Sequence, residues 1–288
     1  LTIGPFTIYG YGLMIAIGIL AAYFTGEYRA KKRKLPYEHV FYLVVWCVVG
    51  GFLGAKILYW ITEWKSILEN PGFLSATLTD GFVVFGGIVG GIFTAYVYCR
   101  VKKLDFLKFF DTLMPSVALA QGFGRIGCLL AGCCYGIVSE TKTWYTFSFK
   151  LINDQNKVIG HRYALPTQLL EALFLFALFW WLSRRVLRGK TYNLQLYMVS
   201  YGVWRFLIEF LRADYRGKTI VPFLTPSQLI AILLIAGGVV LYYVEKKYGE
   251  KHPESLCDDP VPGEEQMKGS AAATADASDG GKDGTADV

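Results

Sequence analysis

The sequence predicts an all-α polytopic membrane protein of about seven transmembrane helices, with its N-terminus outside and its C-terminus in the cytoplasm. Three observations carry this expectation. Of 288 residues, 53% are hydrophobic and only 18% charged, whereas soluble domains carry about 45–50% apolar and about 25% charged residues. The apolar residues gather in runs that approach the roughly 20 helical residues needed to cross a hydrocarbon core about 30 Å thick. Lys and Arg alternate in density from one connection to the next. An ordinary cytosolic enzyme and a disordered chain are thereby excluded, and six cysteines are too sparse for a disulfide-stapled module. The net charge of +6 sits in short clusters between apolar runs. Such clusters report membrane topology, so no nucleic-acid partner is expected.

Taken in order, residues 8–24 form a 17-residue run without a charge. No basic residue precedes it and no convincing cleavage site follows, so it reads as a retained span rather than a signal peptide. Residues 40–61 contain only Lys56, and residues 81–99 contain no charge. Residues 112–138 are too long for one straight span and hold only Arg125. Residues 164–183 hold Glu171, residues 191–211 hold Arg205 and Glu209, and residues 220–244 are again charge-free. In lipid each backbone must satisfy its own hydrogen bonds, which makes these runs helices. The connections after the first, third, fifth and seventh runs carry 16 basic residues and the other three carry eight. By the positive-inside rule this places the N-terminus outside. The long outer connection, residues 139–163, is polar and aromatic, with a turn expected at Asn153–Asn156, and suits the headgroup level. Residues 1–250 are thus the membrane domain. Residues 251–288, acidic and rich in small residues, form a disordered cytoplasmic tail.

Charges inside spans are expensive, about 2.5–3.5 kcal/mol each at a helix centre, so Lys56, Arg125, Glu171, Arg205 and Glu209 should face one another or a wet cavity. One reading is an internal ion-pair network. The other, favoured because Arg125 has no acidic neighbour on its own helix, is an anion site in which two forked guanidinium groups hold a phosphate diester. Glycines crowd the same regions. Gly50, Gly51 and Gly54, and Gly86, Gly87, Gly90 and Gly91, read mainly as close helix packing. The run Gly122–Gly127 around Arg125 predicts a broken helix bordering a cavity.

The segment Gly124-Arg-Ile-Gly127-Cys128-Leu-Leu-Ala-Gly-Cys133-Cys134-Tyr-Gly136 resembles the signature of prolipoprotein diacylglyceryl transferases. Tyr11-Gly-Leu-Met14 in the first span, Gly54-Ala-Lys56, Phe85-Gly86-Gly87, Pro166-Thr-Gln168-Leu with Glu171, Arg205-Phe through Glu209 to Arg212, and Ser227-Gln228 follow in the family's order. The resemblance covers nearly everything from about Tyr9 to Tyr243. It implies transfer of the diacylglyceryl group of phosphatidylglycerol to the lipobox cysteine of a preprolipoprotein signal peptide, with release of glycerol phosphate. It also implies a bacterial inner-membrane location, a site toward the periplasmic leaflet and no cofactor or metal. Arg125 and Arg205 become the essential pair with Glu209. Tyr11, Lys56, Gly86, Gly87, Gly124, Gly127, Gln168, Glu171, Arg212 and Gln228 become substrate-binding residues.

The sequence departs from the family pattern at several positions. Phe85 stands where the family has histidine, and Phe takes no proton. Cys128 and Ala131 replace asparagines, Cys133 replaces a glutamate, and Leu165 replaces a second histidine. His161, on the outer connection, is a candidate base and more simply an exposed loop residue. Cys128, Cys133 and Cys134 have three readings. The default is packing. A thiolate nucleophile beside Arg125 comes second. A redox or metal site ranks lowest, since no histidine or CxxC spacing accompanies them. A different lipid or acceptor on the same fold stays open as an alternative. So does a non-catalytic binder or transporter of anionic lipid, although no internal repeat supports a transporter.

Overall fold

The computed structural model describes residues 2–3, 6–7, 10–69, 77, 81–152, 158–212 and 224–251. The acidic tail, the turn at Asn153–Asn156 and the first residues of the seventh run lie outside the described residues. The helices are α1 (Gly10–Lys32), α2 (Glu38–Thr62), α3 (Trp64–Glu69), α4 (Val84–Val101), α5 (Phe106–Leu130), α6 (Thr167–Leu187), α7 (Asn193–Glu209) and α8 (Pro226–Lys251). Five of them, α1, α2, α4, α5 and α8, are long and apolar enough to cross a membrane. The two remaining runs of the expected seven are α6 and α7, which bring Glu171, Arg205 and Glu209 into the interior. α6 holds Glu171, and α7 has 17 residues with Arg205 and Glu209.

Packing is pairwise. α2 lies on α4, α1 on α5, α5 on α6, and α7 on α8, with α5 touching most of the others. The α2–α4 contact is a glycine seam: a methyl group at Gly86 would collide with the Gly54 carbonyl, and one at Gly90 with the Gly50 carbonyl. Backbones meet there as small residues allow. Two apolar clusters fill the bundle, one around Val40, Leu43, Cys99 and Phe109, the other around Met114, Leu175, Leu182 and Tyr197. Many large apolar side chains face outward instead, among them Phe24, Phe52, Val84 and Phe93, as a lipid-exposed surface requires.

Three expectations are corrected. The chain is not purely helical: β1 (Thr2–Ile3) pairs with β2 (Phe6–Thr7), and β3 (Val138–Ser139), β4 (Phe147–Ile152) and β5 (Val158–Ala164) form an antiparallel sheet in the order β3-β5-β4. The alternation Phe147, Phe149, Leu151 against Ser148, Lys150 has the two-residue period of a strand, which turns the long connection into a folded hairpin. The glycine-rich run around Arg125 does not break its helix. α5 is continuous to Leu130, its N–H groups bind their own helix, and Gly122 and Gly127 are small because the Phe176 and Tyr11 rings press against them. Finally, Arg29 is not a loop charge. α1 extends past it, and it is 2% exposed, donating to the Thr112 carbonyl (3.3 Å), Ser183 Oγ (2.8 Å) and Ser116 Oγ.

Candidate active site

α7 presents a polar residue to its neighbours at every fourth position, one per helical turn. At its start Asn193 Nδ2 donates to Asp111 Oδ2 (2.8 Å), and the backbone N–H groups of Asn193 and Leu194 (the latter at 2.9 Å) meet Asp111 Oδ1. A carboxylate from α5 thereby caps α7 at the end where the helix dipole favours it. Tyr197 Oη donates to Gln121 Oε1 (2.6 Å) and Tyr201 Oη to Glu171 Oε1 (3.0 Å). Arg205 and Glu209 continue the stripe. α7 is thus registered against α5 and α6, and the register sets where Arg205 points.

Glu171 is the hub. Its side chain is fully buried; Arg125 Nη2 lies 3.0 Å from Oε1 and Arg205 Nη1 3.9 Å from Oε2. Arg205 Nη2 also meets Glu209 Oε2 at 3.0 Å and donates to Ser227 Oγ at 3.1 Å. Thr225 Oγ1 donates to Glu209 Oε1 (3.0 Å), joining the end of α7 to the start of α8. Arg125 and Arg205 therefore converge from different helices, but on a carboxylate rather than around an open space. Arg125, without an acidic neighbour on its own helix, meets Glu171 of α6, so these embedded charges do face one another. Arg212 joins the same end of the bundle through its bridge to Gly136. Arg125 retains 19% side-chain exposure and Arg205 10%.

Beyond Leu130 the chain turns back on itself. Gly132 (φ 68°) and Cys134 (φ 65°) are left-handed, a region costly for a cysteine. The turn is held by α6: Gln168 Nε2 donates to the Cys133 carbonyl (2.5 Å) and Thr167 Oγ1 to the Cys134 carbonyl (3.0 Å). Gly136 bridges to Arg212, and a methyl group there would run into the Thr167 side chain at 2.6 Å. The result gathers the Sγ atoms of Cys128, Cys133 and Cys134 within 4.8 Å of one another. The Cys134 thiol is held well below the usual thiol range by hydrogen bonding with Cys128, with further help from the Arg212 guanidinium. Burial and its cysteine neighbour push the Cys133 thiol up.

The other expected residues divide between this centre and structural tasks. Tyr11 lies against Gly127 and within electrostatic reach of Arg125 and the three cysteines. Gly124 faces open space, with nothing within 4 Å of where a side chain would begin. Gln168 is 1% exposed, and its Oε1 accepts no hydrogen bond from the described residues. Lys56 stands apart. It donates to the Thr77 carbonyl and the Gly81 carbonyl (3.3 Å) and lies 4.6 Å from the Phe82 ring centroid. Gly86 and Gly87 serve the α2–α4 seam. Gln228 forms a capping box with Thr225, accepting from its N–H (3.0 Å) while Gln228 N–H donates to Thr225 Oγ1 (3.2 Å). His161 is exposed beside Ser148 Oγ (3.0 Å). Strand alternation sends it away from Arg162, which donates to Tyr135 Oη (2.6 Å).

Sequence reasoning missed Tyr201, Tyr197, Gln121 and Thr225. The four-residue spacing of Asn193, Tyr197, Tyr201, Arg205 and Glu209 was a legible signal, and Thr225-Pro-Ser-Gln228 a legible capping box.

Residues 1–244 match the prolipoprotein diacylglyceryl transferase family. A Clostridium tetani protein named phosphatidylglycerol–prolipoprotein diacylglyceryl transferase is 41% identical over 83% of this chain and 94% of its own length. A Clostridium perfringens relative, numbered 2 under the same name, is 39% identical over 85% and 93%. One from Finegoldia magna is 32% identical over 84% and 95%.

Proposed function

This chain belongs to the prolipoprotein diacylglyceryl transferase family, and from that premise we infer that it moves the diacylglyceryl group of phosphatidylglycerol onto the cysteine thiol of a prolipoprotein. The observation that carries the residue roles is the convergence of Arg125 and Arg205 on buried Glu171 beside a turn rich in thiols.

Glu171 and Tyr201 fix the two guanidinium planes before substrate arrives. Arg125 and Arg205 take the phosphate of the donor, their remaining N–H groups turned to its ester oxygens. As the glyceryl carbon–oxygen bond breaks, negative charge builds on the departing glycerol phosphate, and donors already oriented in a water-poor site stabilise such charge best. Glu209, held by Thr225, and Ser227 fix Arg205 against the start of α8. Gly124 leaves the approach to Arg125 free of side chain. Phe85 lies in the first turn of α4 and is apolar, so the proton of the acceptor thiol leaves by another route, the departing phosphate oxygen being one acceptor.

The arrangement in the membrane follows the same reading. α6 and α7 complete a seven-span bundle. The N-terminus and the turn at residues 131–137 lie on the outer side, in line with the basic residues of the opposite connections. There phosphatidylglycerol and the signal peptide of an exported preprolipoprotein meet. Purified protein incubated with phosphatidylglycerol labelled in its acyl chains and a lipobox peptide tests the reading. Label should pass to the peptide cysteine, and lipid turnover without peptide labelling would overturn it.

A further inference from the structure

The established chemistry alkylates a thiol, yet the turn beside the arginines supplies three thiols of its own. Cys128 lies in the last turn of α5, one turn beyond Arg125, and the left-handed residues Gly132 and Cys134 fold Cys133 and Cys134 back toward it. Their Sγ atoms lie within 4.8 Å of one another. A tetrahedral thiolate site with metal–sulfur bonds of about 2.3 Å has sulfurs about 3.8 Å apart, about 1 Å closer than the 4.8 Å within which these three already lie. The backbone is already pinned: Gln168 and Thr167 hold the carbonyls of Cys133 and Cys134.

We propose that Cys128, Cys133 and Cys134 bind a thiophilic divalent cation such as zinc, and that the acceptor cysteine of the prolipoprotein enters its open fourth position. This rests on the transferase reading and adds to it the activation of the acceptor. Three protein ligands with one position left for substrate is the arrangement of catalytic zinc, and a thiol bound there is deprotonated. The acceptor gives its proton to water on binding. Its metal-held sulfur then forms a bond to the glyceryl carbon while that carbon's bond to the phosphate oxygen breaks. The electron pair departs with glycerol phosphate, no oxidant or reductant is consumed, and the thioether product, a weak ligand, yields to the next thiol. The proposal also explains how the chain manages with Phe85 at a position where a proton acceptor would otherwise stand.

The test uses the full chain in detergent, stripped with a chelator and titrated with Co(II) and with Zn(II). One equivalent of Co(II) should bind with thiolate-to-cobalt charge-transfer absorption and the visible bands of a tetrahedral centre. Cys128→Ser, Cys133→Ser and Cys134→Ser should each weaken binding at least about tenfold, as loss of one ligand does, while unfolding midpoints stay near wild type. A lipobox peptide should shift the visible bands, and its Cys→Ser version should not. Absence of a stoichiometric centre, binding indifferent to the serine variants, or bands indifferent to the peptide thiol would each overturn the proposal. Chelated protein that still labels the peptide at the full rate would also overturn it and leave the transferase reading standing. Failure of transfer in metal-loaded protein would instead count against the transferase reading.

Discussion

Arg125→Ala separates what the arginine does for the fold from what it does for the reaction. In the wild type Glu171 is completely buried and faces Arg125 at 3.0 Å, Arg205 at 3.9 Å and the Tyr201 hydroxyl at 3.0 Å. Removing one partner of a buried ion pair costs about 3–5 kcal/mol, because the remaining charge is stranded. Arg205 and Tyr201 stay in place here, so the lower end applies, about 3 kcal/mol, or roughly two orders of magnitude in the folding equilibrium at about 1.4 kcal/mol per decade. Glu171→Gln discharges the stranded group, and the double variant Arg125→Ala/Glu171→Gln should regain most of that stability. Denaturant unfolding in detergent measures the coupling, and the peptide-labelling assay is run on the same four proteins. Transfer should stay at least a hundredfold down in the double variant although its stability has returned. Transfer that recovers together with stability would refute the reasoning, since Arg125 would then serve only as the counter-ion of Glu171. A coupling under about 0.5 kcal/mol, the ordinary scatter of independent sites, would refute the ion-pair geometry.

Gly124→Leu should leave stability unchanged or raise it by up to about 1 kcal/mol, because Gly is a poor helix former and no neighbour is displaced, while the KM for phosphatidylglycerol rises at least tenfold. Arg205→Lys should lose most activity although the charge is kept, since one ammonium cannot serve Glu171, Glu209 and Ser227 as a planar fork does. Gln228→Ala should cost about 1 kcal/mol of stability through the lost helix cap with kcat little changed, which steady-state kinetics on folded protein would show. In metal-free protein Arg212→Gln should move the pH profile of Cys134 alkylation upward: the guanidinium stabilises the thiolate, so removing it raises the pH at which the thiolate forms.

The apolar runs and their basic flanks located the helices because a bilayer demands length and composition that few other folds share. The chemistry was legible where residue type alone restricts use, as with arginines and glutamates inside apolar helices. What escaped was pairing across sequence. Arg125 showed no acidic partner on its own helix because Glu171 lies on the helix after a long hairpin, and an ion pair between helices leaves no local pattern. The glycines around Arg125 suggested a broken helix, yet small residues serve equally to let a ring approach an intact one, and Phe176 and Tyr11 do so here. Arg29 was counted among topology-setting charges, although Ser116, Ser183 and Thr112 lie one helix contact away and satisfy it in the interior. The three cysteines had no motif spacing because a turn with left-handed Gly132 and Cys134, not a regular element, brings them together.

The central claim is that Arg125 and Arg205 jointly hold one donor phosphate. Native mass spectrometry of the detergent-solubilised protein titrated with phosphatidylglycerol, and separately with diacylglycerol that lacks the phosphate, tests it most directly. A charge-assisted hydrogen bond contributes about 1.5–3 kcal/mol, so Arg125→Ala and Arg205→Ala should each weaken phosphatidylglycerol binding roughly 10- to 100-fold and leave diacylglycerol binding as it was. Phosphatidylglycerol held equally well by wild type and both variants would contradict the account.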